Sequence, residues 1–348
     1  MLPRWVLDLA LFDAVANRTV TYHELCPRTP VLVFNHYWDG VRADKAWPAT
    51  KPLYLMPNIE MFELQADHYW QADVVLCKTV VCADYVTKWF AQEGNPRLTT
   101  VLYTRHTTSD VASNALAHDA TVDWRNPYPH KNFTAPVFLH TAGGSSQKGT
   151  ARIFDCWLAR PDLPRVDVYI NEGLYGRNYA KYYDEKIKAS GNVHLHLTSL
   201  DAAQFGTMIA NAAFFLCPSK MEGYGHYINQ ARAAGGLVLT PDVPPMNELI
   251  TPTSGVLIAS DVEYWKAHFL GGGSSHPLGL KNVRGFVSNF GGTEMCAAVD
   301  HVLTQLQVTE RETRGKRARQ QYLYDTAFFA SKMHELRLAL KPHDVEKK

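Results

Sequence analysis

Glu222-Gly223-Tyr224-Gly225-His226-Tyr227-Ile228-Asn229-Gln230 lies between two apolar runs, Ala213-Phe214-Phe215-Leu216-Cys217 and Gly236-Leu237-Val238-Leu239-Thr240. The order reads as strand, loop, helix, strand, the crossover unit of a parallel sheet. Ligands of such sheets bind at the carboxyl ends of strands and the amino ends of helices. A carboxylate opens the glycine-bearing turn, and the free N–H groups and helix dipole behind it favour an anion such as a diphosphate.

Working outward, His140-Thr141-Ala142-Gly143-Gly144-Ser145-Ser146-Gln147-Lys148-Gly149 follows an expected strand, Pro136–His140, and precedes an expected helix around Ala151 to Ala159. The loop is placed at Thr141 to Gly144. Glycines let backbone N–H groups approach phosphate, and Lys148 adds a point charge. The stretch is neither a Walker loop nor GxGxxG. Further strands are expected at Val166–Ile170 and Val193–Leu197.

The first third repeats the alternation. Val31–Phe34, Leu53–Met56, Val74–Cys77 and Thr99–Tyr103 are short apolar runs, each ending at a loop with reactive side chains. Those loops bring His36, Asn58, Glu60, Lys78, Arg105, His106, Ser109 and Asp110 to one expected sheet edge. A Ser109–His106–Asp110 hydrolase triad lacks the GxSxG elbow it needs. Arg125–Asn132, polar and proline-bearing, is the expected linker. Near the end, Gly271-Gly272-Gly273-Ser274-Ser275 reads as a loop, and Val299, Val302, Leu303 and Leu306 fall at helical spacing.

The chain has 348 residues, enough for two domains. Its formal net charge of +1 gives no global attraction to nucleic acid. Six cysteines without a CxxC pair, several in apolar surroundings, are expected to be buried thiols in a reducing compartment. No apolar run reaches membrane-spanning length, and the interrupted start argues against a signal peptide, so a cytoplasmic protein is expected. The basic run Arg311, Arg314, Lys316, Arg317, Arg319 interleaves with Glu310 and Glu312 and is read as a solvated helix face. It leaves room for a weak peripheral contact with acidic lipid.

The two glycine-bearing loops together, in this order and spacing, resemble the carboxy-terminal half of GT-B glycosyltransferases of the group 1 type, the retaining family 4 enzymes. The helix and strand through Asp242 and the loop Val243–Ile250, with Asn247 and Glu248, extend the resemblance over about residues 135–255. It implies two Rossmann-like doubly wound α/β domains facing a cleft, the N-terminal one compact. The expected bounds are 1–130 for an acceptor-side domain, 131–310 for a nucleotide-sugar domain, and 311–348 for a helical segment returning toward the first. By the same resemblance Lys148 holds the donor diphosphate, Glu222 faces the donor sugar, and Gly223, Tyr224 and Gly225 offer backbone N–H groups. Gly143, Gly144 and Ser219 complete the donor side, and His36 matches a cleft histidine.

Two positions depart from the family pattern. Gln230 stands where a second glutamate would hold the ribose, and Gly143 where an arginine would precede the lysine. An amide can still bond a ribose hydroxyl but loses the charge-assisted bonds. The cations placed to replace the arginine are Lys220, Arg177 and Lys78. Glu222 to Gln230 spans roughly 12 Å of helix, the reach from sugar to ribose. The implied function is transfer of a hexose from a UDP- or GDP-linked donor to a hydroxyl acceptor with retention, without metal or nucleic acid. The alternative is a nucleotide-sugar-binding module that has lost transfer.

Overall fold

The computed structural model describes residues 17, 22–35, 37, 40–59, 64, 66–117, 131–264 and 285–339. His36, Glu60, most of the expected linker and the Gly271–Ser275 loop lie outside the described residues.

The first unit contains α1 (Tyr22–Leu25), β1 (Val31–Phe34), β2 (Leu53–Met56), α2 (Ala66–Gln71), β3 (Val74–Cys77), α3 (Val80–Glu93), β4 (Thr100–Tyr103) and α4 (Val111–Leu116). Its four strands are parallel and lie side by side in chain order. All four β2 residues are buried, because a parallel strand covered on both faces has no polar side. Thr79 caps α3 by accepting from the Cys82 N–H, and Val81, Val86, Trp89 and Phe90 form its buried face. Glu248, from the other half of the chain, accepts from the Val80 and Val81 N–H groups at 2.6 and 2.9 Å, so the same helix start also binds the two halves together.

The second unit runs β5 (Phe138–Gly143), α5 (Thr150–Ala159), β6 (Val166–Ile170), α6 (Glu172–Asn178), α7 (Ala180–Ala189), β7 (Val193–His196), α8 (Ala202–Asn211), β8 (Phe214–Leu216), α9 (His226–Ala233), β9 (Leu237–Pro241), α10 (Met246–Leu249) and β10 (Val256–Ile258). These six strands form one parallel sheet in the order β10-β9-β8-β5-β6-β7. Its order reverses between β5 and β8, and beneath that point Phe138 packs edge to face on Trp157 and tilted against Phe214. An antiparallel pair, β11 (Asp261–Tyr264) with β12 (Phe286–Asn289), follows, then α11 (Gly292–Asp300), a π-helical turn at His301–Gln305, and α12 (Val308–Ala339).

Helix α12 packs on both units. Ala318 joins Ile228 and Val238 in the second core, while Phe329, Met333 and Leu336 cover Tyr54, Met56 and Leu76 of the first sheet.

Several expectations are corrected. β5 continues through Thr141–Gly143, where the sequence pattern places a loop, because pairing with β6 extends to the Gly143–Ile170 step. Four cysteines are paired, as Cys77–Cys82 and Cys156–Cys296, the latter joining α5 to α11; only Cys26 and Cys217 are free. An apolar setting suits a half-cystine as well as a thiol, so burial could not separate the two. The basic run is not one solvated face. Arg311 is buried and donates to the carbonyls of Val302, Leu303, Leu306 and Phe133, while Arg319 bonds Asp110. No helix among the described residues is long and apolar enough to cross a membrane.

Candidate functional site

The site forms where the loops after β5 and β8 meet, the switch point of the sheet. His140, fully buried on β5, ties the two strands together. Its Nδ1 lies 2.9 Å from the Leu216 carbonyl and its Nε2 2.9 Å from Thr150 Oγ1. The carbonyl can only accept, so Nδ1 carries the proton and Nε2 accepts from the threonine. Burial pushes this imidazole down to about 4, which keeps it neutral.

Gly149 ends the first loop at φ 67°, and a Cβ there would lie 1.8 Å from the Pro218 carbonyl oxygen. Only glycine lets the two loops cross this closely. The crossing brings Lys148 Nζ into an ion pair with Glu222 Oε1. The same oxygen accepts from Ser219 Oγ at 2.5 Å, and Ser219 lies 2.6 Å from the Tyr227 hydroxyl. The Lys148 ammonium sits 4.0 Å from the centroid of the Tyr227 ring, a cation–π contact. Ser288, on β12, donates to the Ser219 and Lys220 carbonyls and clamps the second loop from below.

Gly225, at φ 72°, turns the chain into α9. Asn229 Nδ2 donates to the Tyr224 and Gly225 carbonyls at 3.1 and 3.0 Å. A cavity of about 430 Å³ opens beside this turn, lined by Gly143 at the end of β5, by Gly144 and Lys148 from the loop after it, and by His226, Tyr227 and Gln230 from α9. Its far wall is Tyr169, Ile170, Asn171, Thr198, Ser199, Leu200 and Phe205. Sequence reasoning missed that wall, because nothing marks the ends of β6 and β7 as ligand-facing until the sheet order is known. It also missed His226, Tyr227 and Ser288, although the first two lie inside the decisive stretch. Burial, then Lys148, holds the His226 imidazole below its ordinary value.

Across the cleft the first unit contributes a second cluster. Lys78 is buried at the end of β3, donating to Asn35 Oδ1 and Asn58 Oδ1 at 2.5 Å each, with its ammonium 5.2 Å from the Tyr224 ring centroid. His106 packs against Tyr224 and Phe329 with ring centroids 5.0 and 4.7 Å away. Burial foremost, then Lys78 and His226, pushes it down to about 4, and its Nδ1 has no hydrogen-bond partner among the described residues. Lys78, Asn58, His106 and Tyr224 are thus brought together. Ser109 and Asp110 are not: Ser109 is exposed, and Asp110 caps α4 through the Ser113 N–H and pairs with Arg319.

Of the three cations that could replace the missing arginine, Lys78 alone reaches the Tyr224 turn. Arg177 is exposed on α6, and Lys220 lines a separate cavity with Arg152 and Gln147. No three His, Cys, Asp or Glu side chains converge to hold a metal among the described residues. The arrangement can bind an elongated anion along the α9 start, with a buried carboxylate at one end and an amide at the other.

No protein-family profile and no curated protein matches this sequence. Solved structures do resemble the fold. Sucrose-phosphate synthase from Thermosynechococcus elongatus aligns over 98% of this chain and 80% of its own, at 15% identity and TM-score 0.61. The α,α-trehalose 6-phosphate synthase of Burkholderia multivorans aligns over 95% and 73%, at 10% identity and TM-score 0.63. A pneumococcal O-GlcNAc transferase, in complex with UDP and GlcNAc, aligns over 90% of this chain and 57% of its own, at 14% identity and TM-score 0.58. At such identities the likeness is one of fold: two Rossmann-like α/β domains facing a cleft, the GT-B arrangement.

Proposed function

We propose that this chain is a glycosyltransferase that moves a hexose from a nucleoside-diphosphate sugar to a hydroxyl acceptor with retention. The observation that carries the reading is the Lys148–Glu222 pair, whose lysine lines the switch-point cavity. In this reading residues 1–130 are the acceptor-side domain, 131–310 the donor domain, and 311–348 a helical segment packing back on the first.

The diphosphate lies along the start of α9, where the N–H groups of the Gly223–Gly225 turn and the Lys148 ammonium offset its charge. Gly143 and Gly144 admit it without side-chain bulk. Lys148 is held in place by Tyr227 and Glu222, so little reorganisation is needed when phosphate arrives. Glu222, fixed by Ser219, accepts sugar hydroxyls and faces the positive charge that develops at the anomeric carbon. The ribose reaches toward Gln230, and the base lies against Tyr169 and the Thr198–Leu200 loop. The acceptor enters from the side of Asn58, Lys78 and His106. Its hydroxyl attacks on the face the diphosphate leaves. The bond from anomeric carbon to phosphate oxygen breaks as the new glycosidic bond forms, and the departing diphosphate takes the acceptor proton.

The solved structures bearing UDP and a sugar lend the donor class weight by analogy of fold. A second reading, a nucleotide-sugar-binding module without transfer, is favoured by Gln230 and Gly143 lining the cavity in place of charged residues. A screen of UDP- and GDP-sugars for hydrolysis, with calorimetry on UDP and GDP, separates the two. Diphosphate release supports the enzyme, binding without release supports the module, and no binding to either nucleotide overturns both.

A further inference from the structure

Asp325, on α12, is buried between two guanidinium groups. Arg232 Nη1 donates to Oδ2 at 2.6 Å and Arg105 Nη1 to Oδ1 at 2.9 Å. Arg232 lies on α9 and is entirely buried, and its Nε and Nη2 both donate to Asn229 Oδ1, at 3.0 and 2.7 Å. Because that oxygen is occupied by a donor-only group, the Asn229 amide orientation is settled: Nδ2 faces the turn and bonds the carbonyls of Tyr224 and Gly225. In a trans peptide the C=O and N–H point in opposite directions. Drawing these two carbonyls inward therefore turns the Gly225 and His226 N–H groups away from Asn229.

We propose that Asp325 is a positioning residue for the anion-binding turn: through Arg232 and Asn229 it sets which way the Tyr224–Gly225 peptide faces, the Gly225 carbonyl being held also by the Asn229 backbone N–H. Through Arg105, which precedes His106 on the loop after β4, it ties that orientation to the cleft face of the first unit. Asp325 touches no substrate in this scheme; it acts only through the relay. The inference rests on the donor-site reading for its purpose, but its physical content is the order of the turn. A purely structural ion pair would hold α12 in place and leave the turn indifferent to its removal.

The test compares the full chain with the double variant R232M/D325L and with N229A. Replacing both buried members with apolar groups of similar size leaves only Arg105 without its carboxylate, and its side chain is 35% exposed, so no buried charge is stranded. N229A cuts the relay at its last link with the pair intact, so it serves if the double variant fails to fold. Hydrogen exchange is read at the amides of residues 223–229, with those of α5 as internal reference, and UDP affinity is read by calorimetry. Both variants are expected to exchange at least tenfold faster at 223–229 with α5 unchanged, and to bind UDP about tenfold more weakly. Unchanged exchange at 223–229 in a folded N229A variant overturns the proposal. Exchange is measured without nucleotide, so a wild-type chain that binds no UDP refutes the donor reading and leaves the relay to be judged on exchange alone.

Discussion

Lys148 and Glu222, 74 residues apart, are ion-paired where the strand order of the larger sheet reverses. In the proposed reaction a diphosphate competes with Glu222 for the ammonium, so the two residues have separable roles. Lys148→Ala is expected to lower UDP affinity at least tenfold and remove turnover. Glu222→Ala frees the ammonium, so UDP affinity should hold within a few-fold while turnover falls about 10²–10³-fold, the range for a lost electrostatic contact in a transition state. Calorimetry and donor hydrolysis on both variants check this. Equal loss of nucleotide binding in the two would refute the division of roles.

Gly149→Ala puts a methyl group 1.8 Å from the Pro218 oxygen at a backbone φ of 67°. Left-handed strain and overpacking together should cost about 2–5 kcal/mol. Relief requires the Pro218–Glu222 loop to move, which also separates Glu222 from Lys148. Gly144→Ala meets no atom within 4 Å and has no positive φ, so its effect should stay within about 0.5 kcal/mol. Denaturant unfolding of the pair provides the check, and similar stabilities would contradict the crossing argument.

The parallel strands were legible because buried strands read as short apolar runs, and Leu53–Met56 and Val74–Cys77 begin and end where the pattern places them. The meeting of Lys148 with Gln230 in one cavity was legible from two loops that each follow such a run. What links them laterally was not. The Asp325–Arg105 contact spans 220 residues and Glu248–Val80 spans 168. Each such side chain, read alone, is an ordinary surface charge. Burial of Arg232, and of Arg311 in the basic run, is decided by a partner that no local pattern announces. The helices α6 and α7 escaped for a different reason: their polar, tyrosine-rich faces carry only a thin apolar stripe, ending at Leu174, Tyr175 and Ile187.

Acid should destabilise the protein through two histidines, buried His140 and partly buried His106. Both are held near 4, from an ordinary 6.5, chiefly by burial. A depressed folded value means the contribution is complete above pH 6.5 and is lost as pH falls toward 4. For His140, which is fully buried, the loss is on the order of 3 kcal/mol; partly exposed His106 adds less. Stability measured by denaturant at pH 7, 5.5 and 4 should fall across this window, and more gently in His140→Gln. Ring-proton NMR showing His140 titrating near 6.5 would dismiss this account.

Gln230 sets apart the two readings of the chain. It lines the cavity eight residues after Glu222, on the wall where the proposed ribose lies. A carboxylate there would accept from both ribose hydroxyls, with charge-assisted bonds stronger than those of an amide by about 1 kcal/mol. Gln230→Glu should therefore bind UDP about fivefold more tightly. The gain should be smaller for deoxyuridine diphosphate, which keeps only the 3′-hydroxyl. If the wild-type chain transfers sugar, the same variant should lower the donor KM without a matching change in kcat, because ribose contacts are alike in ground and transition states. Calorimetry with both nucleotides reads the first effect and steady-state kinetics the second. Equal gains for UDP and its deoxy analogue would mean that Gln230 does not face the ribose, and the placement of the donor along α9 would have to be reversed.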